Sequence, residues 1–457
     1  MLLKLAEAAF AQGAYDDAAD WYQKIYEEIP DNKNICSKIG ISLAQLGKFE
    51  EALEFLIDAL KAHPNDKILL NFMGLSFSQT GDFLNAEKYF RKLIRFGGGD
   101  NFTLSNLAAV LNELGRFDEA ERIYKTSLRR RPDNLVSQYN LGLLQLLKGN
   151  FMQGWEGFEL RNAAKGIADF NMPGVKRWQG ECVDGCRIFL YAEQGLGDAI
   201  QFARYAAELA SFGAEVIIQC DDALADLMLT IDGVVQVGLP NNFIKDINYY
   251  ASLLSLPKVF QTNYESIPSR CPYISVPAEL PKAAVLDKKS ELIKHRIGLV
   301  WAGNANHKSD RTRSIDLKFF TPLLARKDIK FYSLQAGEST AEIDLLEKAL
   351  RPSKIFQNRR PLTEVGSAMQ HLDLVISVDT SLAHLAGALS IPVWTLISFY
   401  PDWRWMLNRS DSPWYPSMRL FRQPNIGNWQ AVIDDVDKAL DTFVPPKNSY
   451  TLRRGRS

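Results

Sequence analysis

Four polar residues in this sequence have types and spacing that suit phosphate binding: Asp379, Thr380, Ser381 and, three residues later, His384. They follow the apolar run 374–378 and begin a helix-forming segment. At a helix N-terminus, hydroxyl groups and unbonded backbone amides can bind a diphosphate, and a histidine on the first turn adds a donor. An ordinary capped helix with a surface histidine is the alternative, but it leaves the clustering unexplained. The run therefore predicts a phosphate-binding loop.

Loop 193–198 is a second candidate, because it places Gly195, Gly197 and Asp198 between a predicted strand and a predicted helix. Glycines allow the backbone to approach a ligand closely. The loop is not a dinucleotide-binding fingerprint, since the third glycine would fall at Ile200, and this disfavours an NAD enzyme. Asp198 is either a helix cap or a general base at the mouth of a cleft, and the loop alone leaves both interpretations open.

Two further loops carry charge after predicted strands. The loop that follows Trp301 contains three cations within six residues, Lys308, Arg311 and Arg313. Such cations would stabilise charge on a departing phosphate, although a solvated charged loop has the same composition. Glu338 follows another strand, where it could accept hydrogen bonds from a ribose or cap a helix.

The strands that should position these loops are short apolar runs at 187–192, 215–219, 296–301, 329–334, 374–378 and 393–397. Helical segments separate them, and this alternation predicts parallel sheets with helices on both faces. Ligands of such sheets bind beyond the carboxyl ends of the strands. The irregular stretch 268–289 divides the region into two doubly wound domains facing a cleft, 187–285 and 290–445, followed by a tail at 446–457.

The first third of the chain repeats every 34 residues. Glycines recur at this interval, and each is followed two residues later by an aromatic residue: Gly13, Gly47, Gly81, Gly115 and Gly149. Small residues recur at the same interval: Ala6, Gly40, Gly74, Ala108 and Gly142. This period is the signature of tetratricopeptide repeats, which are paired antiparallel helices. Residues 1–162 are therefore predicted to form a solenoid of four to five repeats, with 163–186 as a linker, whose concave surface binds a peptide or protein.

Composition excludes several functional classes. With 53 Lys plus Arg against 54 Asp plus Glu, nothing in the net charge favours a nucleic acid partner. The five cysteines are odd in number and scattered, which fits reduced thiols, and the Cys182 and Cys186 pair lacks the second pair of a zinc site. We expect no membrane span and, because no signal peptide precedes the first repeat, a cytoplasmic location.

The polar loops together resemble those of the bacterial heptosyltransferases, glycosyltransferase family 9. The similarity covers about 187–440, and the run from Asp379 to His384 is its most specific element. The family usually has glycine where this chain has Ser381. The resemblance implies a GT-B fold of two facing Rossmann-like domains, with this run binding the nucleotide diphosphate of a sugar donor.

The resemblance also implies roles for the other loops. Asp198 lies where the family keeps its catalytic base, and Gly195 and Gly197 would line the donor site. Lys308, Arg311 and Arg313 fall in the region of the family's phosphate-binding basic residues, and Glu338 matches its nucleoside-binding acid. The first domain is short for a heptose or lipid acceptor pocket.

The repeats are foreign to heptosyltransferases, but the combination looks like the protein O-linked N-acetylglucosamine transferases, whose solenoid guides a polypeptide acceptor. In those enzymes asparagines line the concave face. Asn106 and Asn140 match that ladder here, whereas Lys38 and Phe72 do not. The resemblance implies at most a partial asparagine ladder for an acceptor.

We therefore expect a metal-independent, inverting GT-B glycosyltransferase. It would transfer a sugar from a nucleotide-diphosphate sugar to a protein held by the repeats, and would need no cofactor. Analogy suggests UDP as the nucleotide. Two alternatives stay open: a glycan or lipopolysaccharide transferase whose repeats recruit an assembly partner, and a non-catalytic repeat scaffold whose second half senses a nucleotide sugar.

Overall fold

The computed structural model describes residues 1–30, 32–238, 246–287, 291–305 and 310–446. The chain divides into two compact units. The first comprises Met1–Gln145 and Glu156–Ala168, and the second comprises Leu146–Trp155 and Asp169–Ser457. In the described parts, no helix is both long enough and apolar enough to cross a bilayer.

The first unit is built from consecutive antiparallel helix pairs. Their bounds are α1 (Leu2–Ala11), α2 (Tyr15–Glu28), α3 (Lys33–Gln45), α4 (Phe49–Ala62), α5 (Lys67–Thr80), α6 (Phe83–Leu93), α7 (Asn101–Glu113) and α8 (Phe117–Arg130). Two more helices, α9 (Leu135–Leu147) and α10 (Phe151–Phe158), have residues in both units. The predicted helical solenoid is confirmed.

The glycine ladder has a backbone cause. Gly13, Gly47, Gly81, Gly115 and Gly149 all have positive φ, between 72° and 84°, and each lies just after the first helix of a pair. A residue with a side chain is strained in this left-handed conformation, which turns the chain into the second helix. In the second ladder, a Cβ at Gly40 would lie 2.7 Å from Leu56 Cγ, so helices of a pair meet there too closely for a larger residue.

A further 34-residue ladder consists of helix caps. The side-chain oxygens of Asn32, Asp66, Asp100 and Asn134 accept hydrogen bonds from backbone amides in the first turn of α3, α5, α7 and α9. Each such cap stabilises a helix by about 1 kcal/mol. The sequence analysis missed this ladder, although Asn or Asp at a fixed interval before each helix was its visible signal.

The second unit contains two sheets, and all strand pairs within them are parallel. The first sheet has the order β1-β5-β2-β3-β4. Its strands are β1 (Lys176–Arg177), β2 (Arg187–Tyr191), β3 (Glu215–Gln219), β4 (Val234–Gly238) and β5 (Tyr249–Ser252). The accompanying helices are α11 (Leu196–Ala203), α12 (Tyr205–Ser211), α13 (Ala225–Met228) and α14 (Leu256–Val259).

The second sheet has the order β11-β10-β9-β6-β7-β8. Its strands are β6 (His295–Val300), β7 (Ile329–Ser333), β8 (Ser353–Lys354), β9 (Leu374–Val378), β10 (Val393–Ile397) and β11 (Met418–Arg422). The helices are α15 (Asp310–Arg313), α16 (Thr321–Leu324), α17 (Glu342–Leu345), α18 (Leu362–Met369), α19 (Ser381–Ala388) and α20 (Trp429–Asp441). All five residues of β9 and of β10 are buried, as continuous apolar runs require.

The predicted α/β class with two parallel sheets is confirmed, and the arrangement is consistent with a GT-B fold. Both sheets reverse their strand order at a central strand. In the first sheet β2 has β5 on one side and β3 on the other, and in the second sheet β6 lies between β9 and β7. Ligands bind at such switch points. The loops after β2, β6 and β9 are therefore the places where chemistry is expected.

Candidate active site

The loop after β9 presents the N-terminus of α19 without a side-chain cap. Thr380 is the N-cap residue in an extended conformation, and its side chain accepts no hydrogen bond from the first turn. The Thr380 hydroxyl instead lies 3.1 Å from Ser377 Oγ. Thr380 and Ser381 are both partly exposed. This helix end can therefore offer amide and hydroxyl donors to an anion.

His384 lies beneath this helix end and is buried, with 4% exposure. Its Nδ1 is 2.9 Å from the Tyr415 hydroxyl oxygen, and its ring stacks on Trp405 with 5.3 Å between centroids. Burial, followed by the charge of Arg404, lowers the pKa of His384 well below its usual value, so the ring is neutral. The histidine therefore packs within the protein against Trp405 and Tyr415. A direct contact with a donor substrate stays a prediction.

Asp379 fixes the start of the same loop. Its Oδ2 accepts a hydrogen bond of 2.8 Å from Trp405 Nε1, and its Oδ1 is 4.0 Å from His384 Nε2. Burial raises the pKa of Asp379, although the neighbouring Arg404 opposes this shift. The Asp379 carboxylate therefore contacts Trp405 and His384, and these contacts hold the loop in place.

Asp198 occupies the first turn of α11, directly after the loop that follows β2. Its Oδ2 accepts a 3.1 Å hydrogen bond from the Gly195 amide, and its Oδ1 accepts a 2.6 Å hydrogen bond from Arg404 Nη2. The side chain is 19% exposed. A carboxylate can accept about four hydrogen bonds, so two positions remain for a hydrogen bond from the hydroxyl group of a sugar-accepting substrate. The residue thus caps the helix and can also act as a base.

Gly197 brings the two loops together. A Cβ at this position would lie 2.9 Å from His384 Cδ2 and 3.5 Å from the Cα of Ser381. The absence of a side chain lets the first turns of α11 and α19 touch. The structure therefore brings Asp198 beside the Thr380 and Ser381 helix end, and Gly197 serves this contact between helices. Gly195 is the N-cap residue of α11 and is exposed.

The basic loop after β6 is described in part, and Lys308 lies outside the described residues. Arg313 Nε is 3.3 Å from Asp310 Oδ1, and its side chain is 19% exposed. Its positive charge contributes to lowering the pKa of His384, although burial and the charges of Arg404 and Arg204 contribute more. Arg311 is exposed on the same short helix. Arg313 is therefore a cation close enough to influence the β9 loop electrostatically.

Glu338 begins a 3-10 turn after β7 and is exposed. A cavity of about 250 Å³ nearby is lined by Ser339 and Glu342, among others, and Glu338 is not part of its lining. Glu342 accepts hydrogen bonds from Trp301 Nε1 (3.3 Å) and from the Leu317 amide (2.8 Å). The nucleoside role of Glu338 stays a prediction.

Arg404, in the aromatic segment 399–416, is a residue of this site that no predicted motif included. This buried guanidinium donates from Nε to Gln201 Oε1 (2.6 Å) and from Nη2 to Asp198, and its Nη1 pairs with Asp402 (2.8 Å). Burial alone would lower the pKa of Arg404, but the carboxylates of Asp402 and Asp198 outweigh burial and hold this pKa above its usual value. The signal available in the sequence was an arginine between two tryptophans.

Asn106 and Asn140, the predicted acceptor residues, are half-buried on α7 and α9. The Asn140 side chain hydrogen-bonds the buried Tyr124 hydroxyl. One of the two asparagines therefore has a structural contact, and acceptor binding by either stays a prediction.

Comparison with known proteins separates the two halves of the chain. Residues 329–420 match glycosyltransferase family 9 (heptosyltransferase), and residues 9–74 and 103–131 match tetratricopeptide repeats. The chain joins tetratricopeptide repeats to a glycosyltransferase family 9 domain. The matched part of this domain contains Glu338, the Asp379 to His384 loop and Arg404, whereas Asp198 lies before it.

Several known proteins are similar to part of this chain. Protein FlbA of Caulobacter vibrioides is 26% identical over 345 residues, which cover 68% of this chain. This chain spans only 56% of FlbA. A crystal structure of MamA protein is 17% identical, with a TM-score of 0.32, and covers 37% of this chain and 96% of its own. The structure of MamA from Desulfovibrio magneticus RS-1 is 14% identical, with a TM-score of 0.33, and covers 37% of this chain and 96% of its own. These likenesses do not assign a function.

Proposed function

We propose that this protein is a glycosyltransferase that moves a sugar from a nucleotide-diphosphate sugar to a hydroxyl group of a protein acceptor. The observation that carries the proposal is the contact between α11 and α19, which places Asp198 beside the uncapped helix end at Thr380 and Ser381. The family 9 domain supports the class of reaction, and the repeats support a polypeptide acceptor.

In the proposed reaction the acceptor hydroxyl donates its proton to Asp198 while its oxygen bonds to the anomeric carbon of the sugar. The bond from that carbon to the diphosphate oxygen breaks, and the nucleoside diphosphate leaves with the electron pair. A single displacement of this kind inverts the anomeric configuration. Amides of the first turn of α19, together with Arg313, would stabilise the departing charge, and this supports metal independence as part of the proposal.

The test of this mechanism compares Asp198→Asn with Asp328→Asn. Asp328 is also paired with an arginine, at 3.6 Å from Arg326 Nε. It precedes β7 and so lies at the amino end of a strand, whereas the loops of the candidate site follow the carboxyl ends of strands. Loss of a positioned base should lower turnover of the nucleotide sugar by about 10² to 10⁴, with nucleotide affinity nearly unchanged by calorimetry. The Asp328 variant should match the wild type. Equal turnover of the Asp198 variant and the wild type would remove Asp198 from the mechanism.

A second candidate function follows from the contacts of Asp198, since both carboxylate oxygens already have protein partners. In that case the domain would bind a nucleotide sugar without turning it over, as a sensing scaffold. Calorimetry that shows nucleotide-sugar binding, together with no release of nucleoside diphosphate over hours, would favour this second candidate.

A further inference from the structure

The short segment from Asp402 to Trp405 contacts both loops of the candidate site with consecutive side chains. Arg404 donates to Asp198 Oδ1 at 2.6 Å, and Trp405 donates to Asp379 Oδ2 at 2.8 Å. Trp405 also stacks on His384. One short turn therefore contacts the predicted base through Arg404 and the predicted nucleotide loop through Trp405.

Arg404 has little freedom to move in this position. It is 8% exposed, and its guanidinium lies over the Trp403 ring at 4.9 Å from the centroid. Its nitrogens are also bonded to Gln201 and Asp402. A planar guanidinium held at several points fixes the direction of each hydrogen bond that it donates.

We propose that Arg404 is the positioning residue for Asp198, so that the carboxylate faces the acceptor hydroxyl at a fixed place relative to the nucleotide helix. This inference rests on the proposed function. Without Arg404, the carboxylate would keep its hydrogen bond from the Gly195 amide but could rotate about it. A misplacement of about 1 Å can cost 10²-fold in rate.

A positioning role and a folding role give different kinetic results. Loss of positioning should lower kcat while nucleotide affinity stays nearly unchanged. A role confined to folding would lower the amount of active protein instead.

The experiment compares Arg404→Gln and Arg404→Lys with Arg409→Gln in the full-length protein. Arg409 is a matched control, because it is an arginine just beyond this segment that pairs with Asp411 at 2.8 Å and with the Tyr264 hydroxyl. Arg404→Gln should lower kcat by about 10-fold to 100-fold, with nucleotide affinity within about threefold of the wild type. Arg404→Lys should recover part of the rate, and the control should change neither kcat nor nucleotide affinity.

A double variant decides whether Arg404 acts through Asp198. Once Asp198→Asn has removed the base, adding Arg404→Gln should lower kcat by less than about threefold more. Losses that multiply overturn the inference. If Arg404→Gln does not fold, the kcat of Arg404→Lys and of its double variant with Asp198→Asn gives the same decision. A wild type that turns over no nucleotide sugar overturns the proposed function and this inference together, whereas wild-type turnover with multiplying losses overturns the inference alone.

Discussion

Replacing Gly197 by alanine tests the contact that unites the candidate site. The new Cβ would lie 2.9 Å from His384 Cδ2, roughly half an ångström inside ordinary van der Waals contact. The imidazole cannot easily move away, because it is held between the Trp405 ring and the Tyr415 hydroxyl. The first turns of α11 and α19 must therefore separate.

The expected cost of this substitution follows from two opposing effects. Overpacking a buried contact costs about 1–3 kcal/mol, and the better helix propensity of alanine offsets up to about 1 kcal/mol. A net loss of about 1–2 kcal/mol should lower Tm by about 2–8 °C in a unit of this size. Turnover should fall further, by about 10-fold to 100-fold, since the base moves relative to the nucleotide helix.

Thermal unfolding and nucleotide release measure the two effects separately. The matched background is His384→Ala, in which the clashing ring is gone. There, adding Gly197→Ala should cost no stability, because the remaining neighbour, the Cα of Ser381, is at an ordinary 3.5 Å. Wild-type Tm and turnover in the single variant would refute the reasoning, as would an undiminished cost in the His384→Ala background.

Two other predictions concern stability. Burial raises the pKa of Asp402 to about 6, above its ordinary value of 3.8, so the folded state binds the proton more tightly. The resulting stabilisation is complete below pH about 4 and is lost as pH rises through 6, so urea unfolding should give a lower free energy at pH 7 than at pH 5, and Asp402→Asn should remove this part of the difference. In the repeats, Gly115→Ala should lower the free energy of unfolding by about 1–2 kcal/mol, because Gly115 has a φ of +72°. Gly98 has a negative φ and lies outside this ladder. An unchanged denaturation midpoint for Gly115→Ala would contradict the backbone explanation.

Local patterns in the sequence were sufficient for much of the fold. The 34-residue interval predicted the helix pairs, because a left-handed glycine must end each first helix. Apolar runs predicted the main strands, since a strand buried on both faces has no polar positions. The loops after β2, β6 and β9 could then be placed at the carboxyl edges of the sheets.

The contacts between the loops could not be predicted in this way. Arg404 and Asp198 are 206 positions apart, and their pairing depends on how two sheets pack, which no local pattern records. Burial of His384 and the purpose of Gly197 follow from the same packing. Gly197 suggested close approach of a ligand, which stays a prediction, and the structure shows in addition that it lies at the contact between two helices.

The central claim is that the Asp198 loop and the N-terminus of α19 form one site for sugar transfer from a nucleotide diphosphate. Its most direct measurement is the release of nucleoside diphosphate by the full-length protein from a panel of nucleotide sugars, with wild type and Asp198→Asn compared at equal nucleotide saturation. We predict release from at least one donor by the wild type and a rate about 10² to 10⁴ lower in the variant. Absence of release from every donor, or equal rates in the two proteins, would contradict the claim.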